Sequence, residues 1–239
     1  MTPPIPPVLR VASLVHHRSP PAELRGVSLA IQPAGFTLLS GEADSGAALL
    51  LRILGLLERP DAGEVWLDSL PMDCLDDAAR LHIRNHEFGF LFAEPFLLDS
   101  FTVAENVAMP LFKISGFNIE QARARTAEVL EFAGLAGSAD FSVRDLSALD
   151  HHKISLARAL AIAPRVLIAE DAGLQLPAAD LREFAGLLRR VPEIPGISVI
   201  ATSPAGAEIL GPDREIRLER GVIAADSHPV EVEEAPAHD

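Results

Sequence analysis

The chain has 239 residues, of which 49% are hydrophobic, and this is enough to build a packed core of one large domain or two small ones. Its 34 acidic and 20 basic residues give a net charge of −14, which disfavours direct nucleic-acid binding because no basic patch can neutralise several phosphates. No apolar stretch reaches the length of a membrane span, the first residues lack an export signal, and Cys74 is the one cysteine, so we expect a cytoplasmic protein without an internal disulfide.

Short apolar runs bounded by Pro or Gly predict strands, and apolar residues with a period of 3.6 predict helices. In chain order the predicted strands are residues 8–15, 26–31, 35–40, 88–92, 165–169 and 197–202. The predicted helices are residues 47–57, 102–111, 119–133 and 149–162, the second of which starts with Thr102 and Glu105 at the spacing of a capping box. Buried strands that alternate with helices predict an α/β fold. Residues 227–239 contain carboxylates and no Lys or Arg, which predicts a solvated acidic tail.

Four segments carry a resemblance to a known family. They are SGEADSGAALLLRILGLLERPDAGEV (40–65), FGFLFAEPFLLDSFTVAENVAMPL (88–111), DLSALDHHKISLARALAIAPRVLIAED (145–171) and DREIRLERGVI (213–223). In order, they resemble the phosphate loop, the glutamine-loop region, the signature helix with the second acidic motif, and the closing strand pair of the ATP-binding subunits of ABC transporters, of the lipoprotein-release and macrolide-export type. The resemblance extends from residue 8 to about residue 224.

The resemblance implies a P-loop NTPase-type nucleotide-binding domain with a β subdomain and a helical subdomain. It predicts an ATPase-like domain at residues 1–226, with a core of 7–94 and 151–226 and a transporter-facing helical subdomain of 95–150. The implied partners are membrane permease subunits and another ABC ATPase subunit as dimer partner. The implied location is peripheral, on the cytoplasmic face of the inner membrane, and the implied ligands are ATP and Mg²⁺.

The segment that resembles the phosphate loop lacks the family's phosphate-binding side chains. In the family pattern G-x-x-x-x-G-K-S/T, backbone N–H groups cradle the phosphates, the lysine neutralises them, and the hydroxyl binds Mg²⁺. Here Ala47 stands at the lysine position and Ala48 at the hydroxyl position. Glu42 and Asp44 either add negative charge to the site or are solvated loop carboxylates. The candidate loop comprises Gly41, Glu42, Ala43, Asp44, Ser45, Gly46, Ala47 and Ala48.

Other positions matched to the family's nucleotide-contacting residues also depart from its pattern. By resemblance they are Arg18 for the adenine-stacking aromatic, Ala93 for the glutamine, Ser147 within LSALD for the signature, Glu170 for the Mg²⁺-binding Asp, Asp171 for the general base, Pro177 for an acidic loop residue and Ser203 for the switch histidine. Glu170 and Asp171 keep both negative charges of the family's Asp-Glu pair, but the longer and the shorter side chain are exchanged. The length of the side chain decides whether a general base can contact the attacking water. A role in hydrogen bonding or capping is the alternative to metal catalysis for this pair.

Histidines offer no convincing metal site. His82 and His86 lie at i, i+4 on one helical face but lack a third ligand nearby, so we interpret them as ordinary surface or half-buried residues. His151 and His152 are adjacent on the signature helix and cannot face one site together.

The residues that form the fold are kept while those that would hold nucleotide are replaced. This pattern predicts a degenerate, non-hydrolysing subunit that is a structural or regulatory partner of a transporter, binds no cofactor, and docks through the apolar segment 96–111. Two alternatives remain: a residual ATPase that works through Glu170 and Asp171 with a competent partner subunit, and a free cytosolic scaffold.

Overall fold

The computed structural model describes residues 6–19, 22–204 and 206–230, and the side chains of Arg18, Ser19 and Ala22 lie outside this description. The strands are β1 (Leu9–Ser19), β2 (Ala22–Ile31), β3 (Phe36–Ser40), β4 (Ala62–Leu67), β5 (Leu70–Pro71), β6 (Phe88–Leu91), β7 (Val166–Glu170), β8 (Ser198–Thr202), β9 (Arg214–Glu219) and β10 (Val222–Asp226). The helices are α1 (Ala47–Leu54), α2 (Asp77–Glu87), α3 (Val103–Lys113), α4 (Ile119–Phe132), α5 (Ala148–Ala161), α6 (Ala178–Arg190) and α7 (Gly206–Leu210).

The described strands form two sheets. The smaller is antiparallel with the order β2-β1-β4-β5, and the larger has the order β10-β9-β3-β8-β7-β6. Within the larger sheet, β6, β7, β8, β3 and β9 run parallel, and β10 pairs antiparallel at the edge. The prediction of an α/β fold with a parallel sheet is therefore confirmed. The carboxyl ends of β3, β7 and β8 meet at one edge of this sheet, where α/β proteins place ligands.

Helix α1 packs against the inner strands because its sequence, AALLLRIL, is almost wholly apolar. Leu50, Leu51 and Leu54 are fully buried in a core shared with both sheets. The helix ends at Leu54, whereas the sequence predicted an end at Leu57. Gly55 closes it, and Leu56 has a φ of 57°, outside the helical region.

The segment between β6 and β7 is mainly helical. Thr102 and Glu105 form the predicted capping box at the start of α3, and Asn118 forms a second one at the start of α4. Helix α5 begins at Ala148, so it crosses the boundary that the sequence predicted between residues 150 and 151. No described helix has the length and apolar character needed to cross a lipid bilayer.

Candidate functional site

The candidate phosphate loop joins the end of β3 to the start of α1, as the sequence predicted. Gly46 caps the helix with a φ of 93°, and Gly41 has a φ of 150°, so both use backbone conformations that favour glycine. The Ser45 N–H donates to the Glu42 carbonyl at 2.9 Å and closes the turn. The loop therefore keeps the strand–turn–helix connection that the sequence predicted, with α1 beginning directly after Gly46.

The backbone around Gly46 leaves no room for a side chain. A Cβ atom at this position would lie 2.6 Å from the Glu23 carbonyl oxygen. We expect Gly46→Ala to lower the free energy of unfolding by about 1–3 kcal/mol, because of this clash and the positive φ. Denaturant titration is the measurement, with Gly137→Ala as control, since a Cβ at Gly137 meets nothing within 4 Å. Equal stability of the two variants would contradict a constrained loop.

The hairpin of β9 and β10 is hydrogen-bonded to the loop. The Gly221 N–H donates to the Ser45 carbonyl at 2.9 Å, and the Gly221 carbonyl accepts from the Arg25 N–H at 2.9 Å. Ser45 is 2% exposed. The loop is thus ordered by contacts within the protein.

A pocket of about 400 Å³ lies in front of the loop. It brings together Ala47, Ala48, Asp171 and Ser203, which are far apart in the sequence. Residues that sequence reasoning missed, Ser40, Thr202 and Pro204 among them, also line it; they lie at or just after the ends of β3 and β8. Of the other predicted positions that the structure describes, Glu170, Ala93 and Ser147 do not line this pocket.

Both loop carboxylates are exposed, as in the second of the two interpretations left open by the sequence. Glu42 nevertheless lines the mouth of the 400 Å³ pocket. Asp44 instead lines a second pocket of about 730 Å³, together with Arg25 and Arg220. One carboxylate of the loop therefore borders the candidate phosphate site.

Glu170 is engaged by a side chain from α1. Arg52 donates to Glu170 Oε1 from Nε at 2.8 Å and from Nη2 at 2.7 Å. The hydrogen bond to Glu170 raises the pKa of Arg52 above its ordinary value, and the nearby charges of Glu58 and Asp171 add to this. Glu170 therefore makes a hydrogen bond of the kind that the sequence analysis gave as the alternative to metal catalysis. Its partner was missed because the two residues lie 118 positions apart.

We expect the Arg52–Glu170 pair to stabilise the fold modestly, because the Arg52 side chain is 51% exposed. A double-mutant cycle with Arg52→Leu and Glu170→Gln should give a coupling energy of about 0.5–1 kcal/mol in urea denaturation. A coupling energy of zero would show that the ion pair does not hold Glu170 in place.

Asp171 follows β7 in a left-handed conformation, with a φ of 48°. Its N–H donates to the carbonyl and to the hydroxyl of Thr202, both at 3.2 Å, which fixes the turn against β8. Its carboxylate lines the 400 Å³ pocket without any cationic side chain among the pocket's described residues. Among the described residues that line this pocket, the charged side chains are therefore carboxylates.

Ser147 serves as the N-cap of α5. Its hydroxyl accepts from the Asp150 N–H at 3.1 Å and donates to Asp150 Oδ2 at 2.7 Å. The two residues of LSALD that carry polar side chains are therefore bonded to each other. The two residues therefore cap the N-terminus of α5.

Of the remaining predicted positions whose side chains are described, Ser203 lines the pocket, and Ala93 and Pro177 do not. Ser203 is half-buried at its wall, Ala93 is half-buried in the segment after β6, and the side chain of Arg18 lies outside the described residues. Pro177 is the N-cap of α6.

The described part of the chain holds no group of three or more His, Cys, Asp or Glu suited to a metal ion. His82 and His86 are exposed, and His86 Nδ1 lies 2.7 Å from the His82 carbonyl. His152 packs on Phe184, and burial lowers its pKa, with a smaller effect of His151. His82 and His86 are therefore surface residues, as the sequence analysis interpreted them, and His152 is buried.

Comparison with known proteins gives a consistent family. Residues 24–172 match the family described as "ABC transporter". A lipoprotein-releasing system ATP-binding protein LolD of Myxococcus xanthus is 35% identical over 84% of this chain and 89% of its own length. The LolD 2 protein of Caulobacter vibrioides is 38% identical over 75% of this chain and 78% of its own.

Solved structures agree with the sequence matches. The dimeric structure of MJ0796, a bacterial ABC transporter cassette, has a TM-score of 0.79 and 26% identity, and covers 92% of this chain and 97% of that one. CbiO1 from Clostridium perfringens shows the same fold, with a TM-score of 0.84 and 21% identity over 92% of this chain and 88% of its own. The chain belongs to the ABC transporter family, among its ATP-binding subunits.

Proposed function

We propose that this chain is a non-hydrolysing cassette subunit that acts as a structural or regulatory partner in a membrane transporter complex. The observation that carries the proposal is the pocket before the phosphate loop, where Ala47 and Ala48 replace the phosphate-binding lysine and the metal-binding hydroxyl. Glu42 and Asp171 are the charged residues among those lining this pocket. A pocket of this charge repels the phosphates of ATP instead of attracting them.

The donor set does not fit Mg²⁺–ATP. Magnesium requires oxygen ligands in near-octahedral geometry, commonly one or two carboxylates together with phosphate oxygens. Of the two acidic residues at the end of β7, Glu170 is hydrogen-bonded to Arg52 and does not line the pocket, whereas Asp171 does. Ala48 and Ala93 supply no oxygen from their side chains, so the site lacks ligands that a Mg²⁺-dependent hydrolytic step would need.

We further propose that the chain docks on membrane permease subunits at the cytoplasmic face of the inner membrane and pairs with another ABC ATPase subunit. In a pair of this kind, the phosphate loop of each subunit faces the signature of the other. With an intact partner, LSALD would face the partner's phosphate loop and GEADSGAA the partner's signature, so each composite site would be defective on one side. In a homodimer, each composite site would be defective on both sides. Nucleotide-driven closure should therefore be weak.

Phosphate release from the purified chain tests the proposal, with Asp171→Asn as the matched variant. We expect both proteins to release phosphate at the background rate. The phosphate-binding lysine is replaced by Ala47, the metal ligands by Ala48 and Ala93, and the histidine that contacts the γ-phosphate by Ser203. Turnover that Asp171→Asn abolishes would contradict the proposal and favour the residual ATPase. Purification of a stable chain free of any membrane subunit from its native host would favour the cytosolic scaffold.

A further inference from the structure

A pocket of about 310 Å³ lies between the segment that follows α1 and the helix α2. Three arginines line it, Arg59, Arg80 and Arg84, together with the carboxylates of Glu58 and Asp77. Arginines therefore outnumber carboxylates in this pocket, whereas acidic residues outnumber basic ones by 34 to 20 in the whole chain. Small-molecule sites have volumes of about 300–1,000 Å³, so the pocket suits a small ligand.

Both carboxylates of this pocket are engaged by other partners. Glu58 Oε1 lies 3.1 Å from His16 Nε2. Asp77 Oδ1 accepts from Arg59 Nη2 at 2.8 Å, and the Asp77 side chain is 95% exposed. Within the part of the chain that the structure describes, Arg80 and Arg84 form no salt bridge with a carboxylate. The positive charges of these two arginines are therefore not neutralised by an ion pair.

Backbone carbonyls hold Arg80 and Arg84 at the pocket. Arg80 is 6% exposed and donates to the carbonyls of Met72 at 3.2 Å and Glu58 at 3.3 Å. Arg84 is half-buried and donates to the Leu56 carbonyl at 3.2 Å. A guanidinium group has five N–H donors, so these bonds use only part of the donors of each arginine. The carbonyls fix the two side chains but carry no formal charge that would neutralise them.

The three arginines also repel one another. Arg80 and Arg84 are four residues apart on α2 and share one face of the helix, an arrangement of like charges that destabilises a helix. Burial lowers the pKa of Arg80, and the positive charges of Arg59 and Arg84 lower it further. The carboxylates of Asp77 and Asp73 oppose this with smaller effects. An anion bound between the arginines would replace repulsion by attraction.

We propose that this pocket binds an oxyanion of the phosphate or sulfate class, held by Arg80 and Arg84, with Arg59 adding positive charge at its exposed side. Guanidinium groups suit this ligand because their planar fork of donors matches the oxygens of a phosphate. Helix α1 begins at the phosphate loop and ends before this pocket, so its 8 residues, about 12 Å in length, separate the two sites. The inference is therefore independent of the proposed function.

Titration of the full chain with inorganic pyrophosphate tests the proposal. Isothermal titration calorimetry without Mg²⁺ and at constant ionic strength should give saturable binding with a dissociation constant near 1 mM, written as about 1 mM because the ligand is small and partly exposed. Arg84→Gln should weaken this binding by about tenfold, and Arg84→Lys, which keeps the charge, should weaken it less. Arg182→Gln removes the same charge from an exposed position of α6 and should leave the affinity unchanged.

A second variant does not depend on the arginines themselves. Leu81 lines the pocket and is 46% exposed, so Leu81→Glu adds a carboxylate to the pocket without disturbing the core. It should weaken pyrophosphate binding by about tenfold. Leu70→Glu makes the same change on β5, where Leu70 is also 46% exposed, and should leave the affinity unchanged.

Vesicles distinguish the two sources of such an oxyanion, a dissolved phosphate and a phospholipid headgroup. A headgroup ligand predicts flotation of the chain with phosphatidylglycerol vesicles but not with phosphatidylcholine vesicles, and Leu81→Glu should reduce this flotation. A dissolved ligand predicts pyrophosphate binding and no flotation with either lipid. Absence of both pyrophosphate binding and flotation would overturn the inference. Binding that Arg84→Gln and Leu81→Glu leave unchanged would also overturn it, because the anion would then lie elsewhere, such as at the phosphate loop.

Discussion

Purified chain should bind ATP–Mg²⁺ no more tightly than millimolar. A unit charge about 4 Å from a phosphate contributes about 4 kcal/mol at an effective dielectric constant near 20. A micromolar site has about 8 kcal/mol of binding free energy and a millimolar site about 4. Replacement of the family's lysine by Ala47 is therefore enough to change a micromolar dissociation constant to a millimolar one. Isothermal titration calorimetry is the measurement, and a low-micromolar dissociation constant would contradict the expectation.

Repair of the loop provides the matched experiment. The variant Ala47→Lys with Ala48→Ser restores the two side chains on a loop that joins β3 to α1 with glycine at both Gly41 and Gly46, so we expect ATP affinity to rise by at least about tenfold. Ala124→Lys adds the same charge at an exposed position of α4 and should leave affinity unchanged. Hydrolysis should stay at background in the repaired variant, since Ala93 and Ser203 are unaltered. Unchanged ATP affinity would contradict the expectation and show that the loop backbone does not have a phosphate-binding conformation.

The second large effect concerns assembly. Phe96→Asp should release the chain from its membrane complex, because it places a charge where we expect an aromatic side chain to be buried against the partner. The measurement is co-purification from detergent extracts with and without ATP, and we expect at least about a tenfold loss of bound chain in both conditions. Leu98→Asp should act similarly, since Leu98 is also exposed.

Two controls define the assembly experiment. Leu70→Asp introduces the same charge at an exposed apolar position on β5 and should leave assembly intact. Ala47→Lys should also leave it intact, because docking is expected to be independent of the nucleotide site. Leu97, which the sequence analysis placed in the same docking segment, packs partly against the core, so Leu97→Asp would perturb folding as well. Association that requires added ATP would show that the nucleotide site is functional.

The sequence predicted the strands that are buried on both faces, because such strands have an apolar composition. Strands β3, β7 and β8 are buried on both faces, which produces continuous apolar runs such as VLIAE and SVIAT. Helix α2 lacks such a run, and its one buried residue is Arg80, whose guanidinium donates to the carbonyls of Met72 and Glu58. A helix with a polar sequence that is held by tertiary hydrogen bonds cannot be found from hydrophobic periodicity alone.

In the candidate site, too, local features were predicted from the sequence and contacts between distant residues were not. The spacing of Gly41 and Gly46 predicted the loop, because glycine is required where the backbone has a positive φ. The pairing of Arg52 with Glu170 was not predictable, since it depends on how α1 packs beside β7. Arg158 was likewise missed as the residue that fixes the Phe96 loop, because its partners are backbone carbonyls and leave no trace in side-chain identity.

The hydrogen bond between Gly221 of the β9–β10 hairpin and Ser45 of the phosphate loop also bears on how the protein is made. Residues 41–46 leave the ribosome early, whereas Gly221, which donates to Ser45, is synthesised near the end. Strand β9 must also pair with β3 before that contact can form. Because chains fold as they emerge and the loop depends on this late partner, its final shape should be reached only after translation is nearly complete. A nascent chain arrested before residue 214 should therefore expose Gly41–Gly46 to protease.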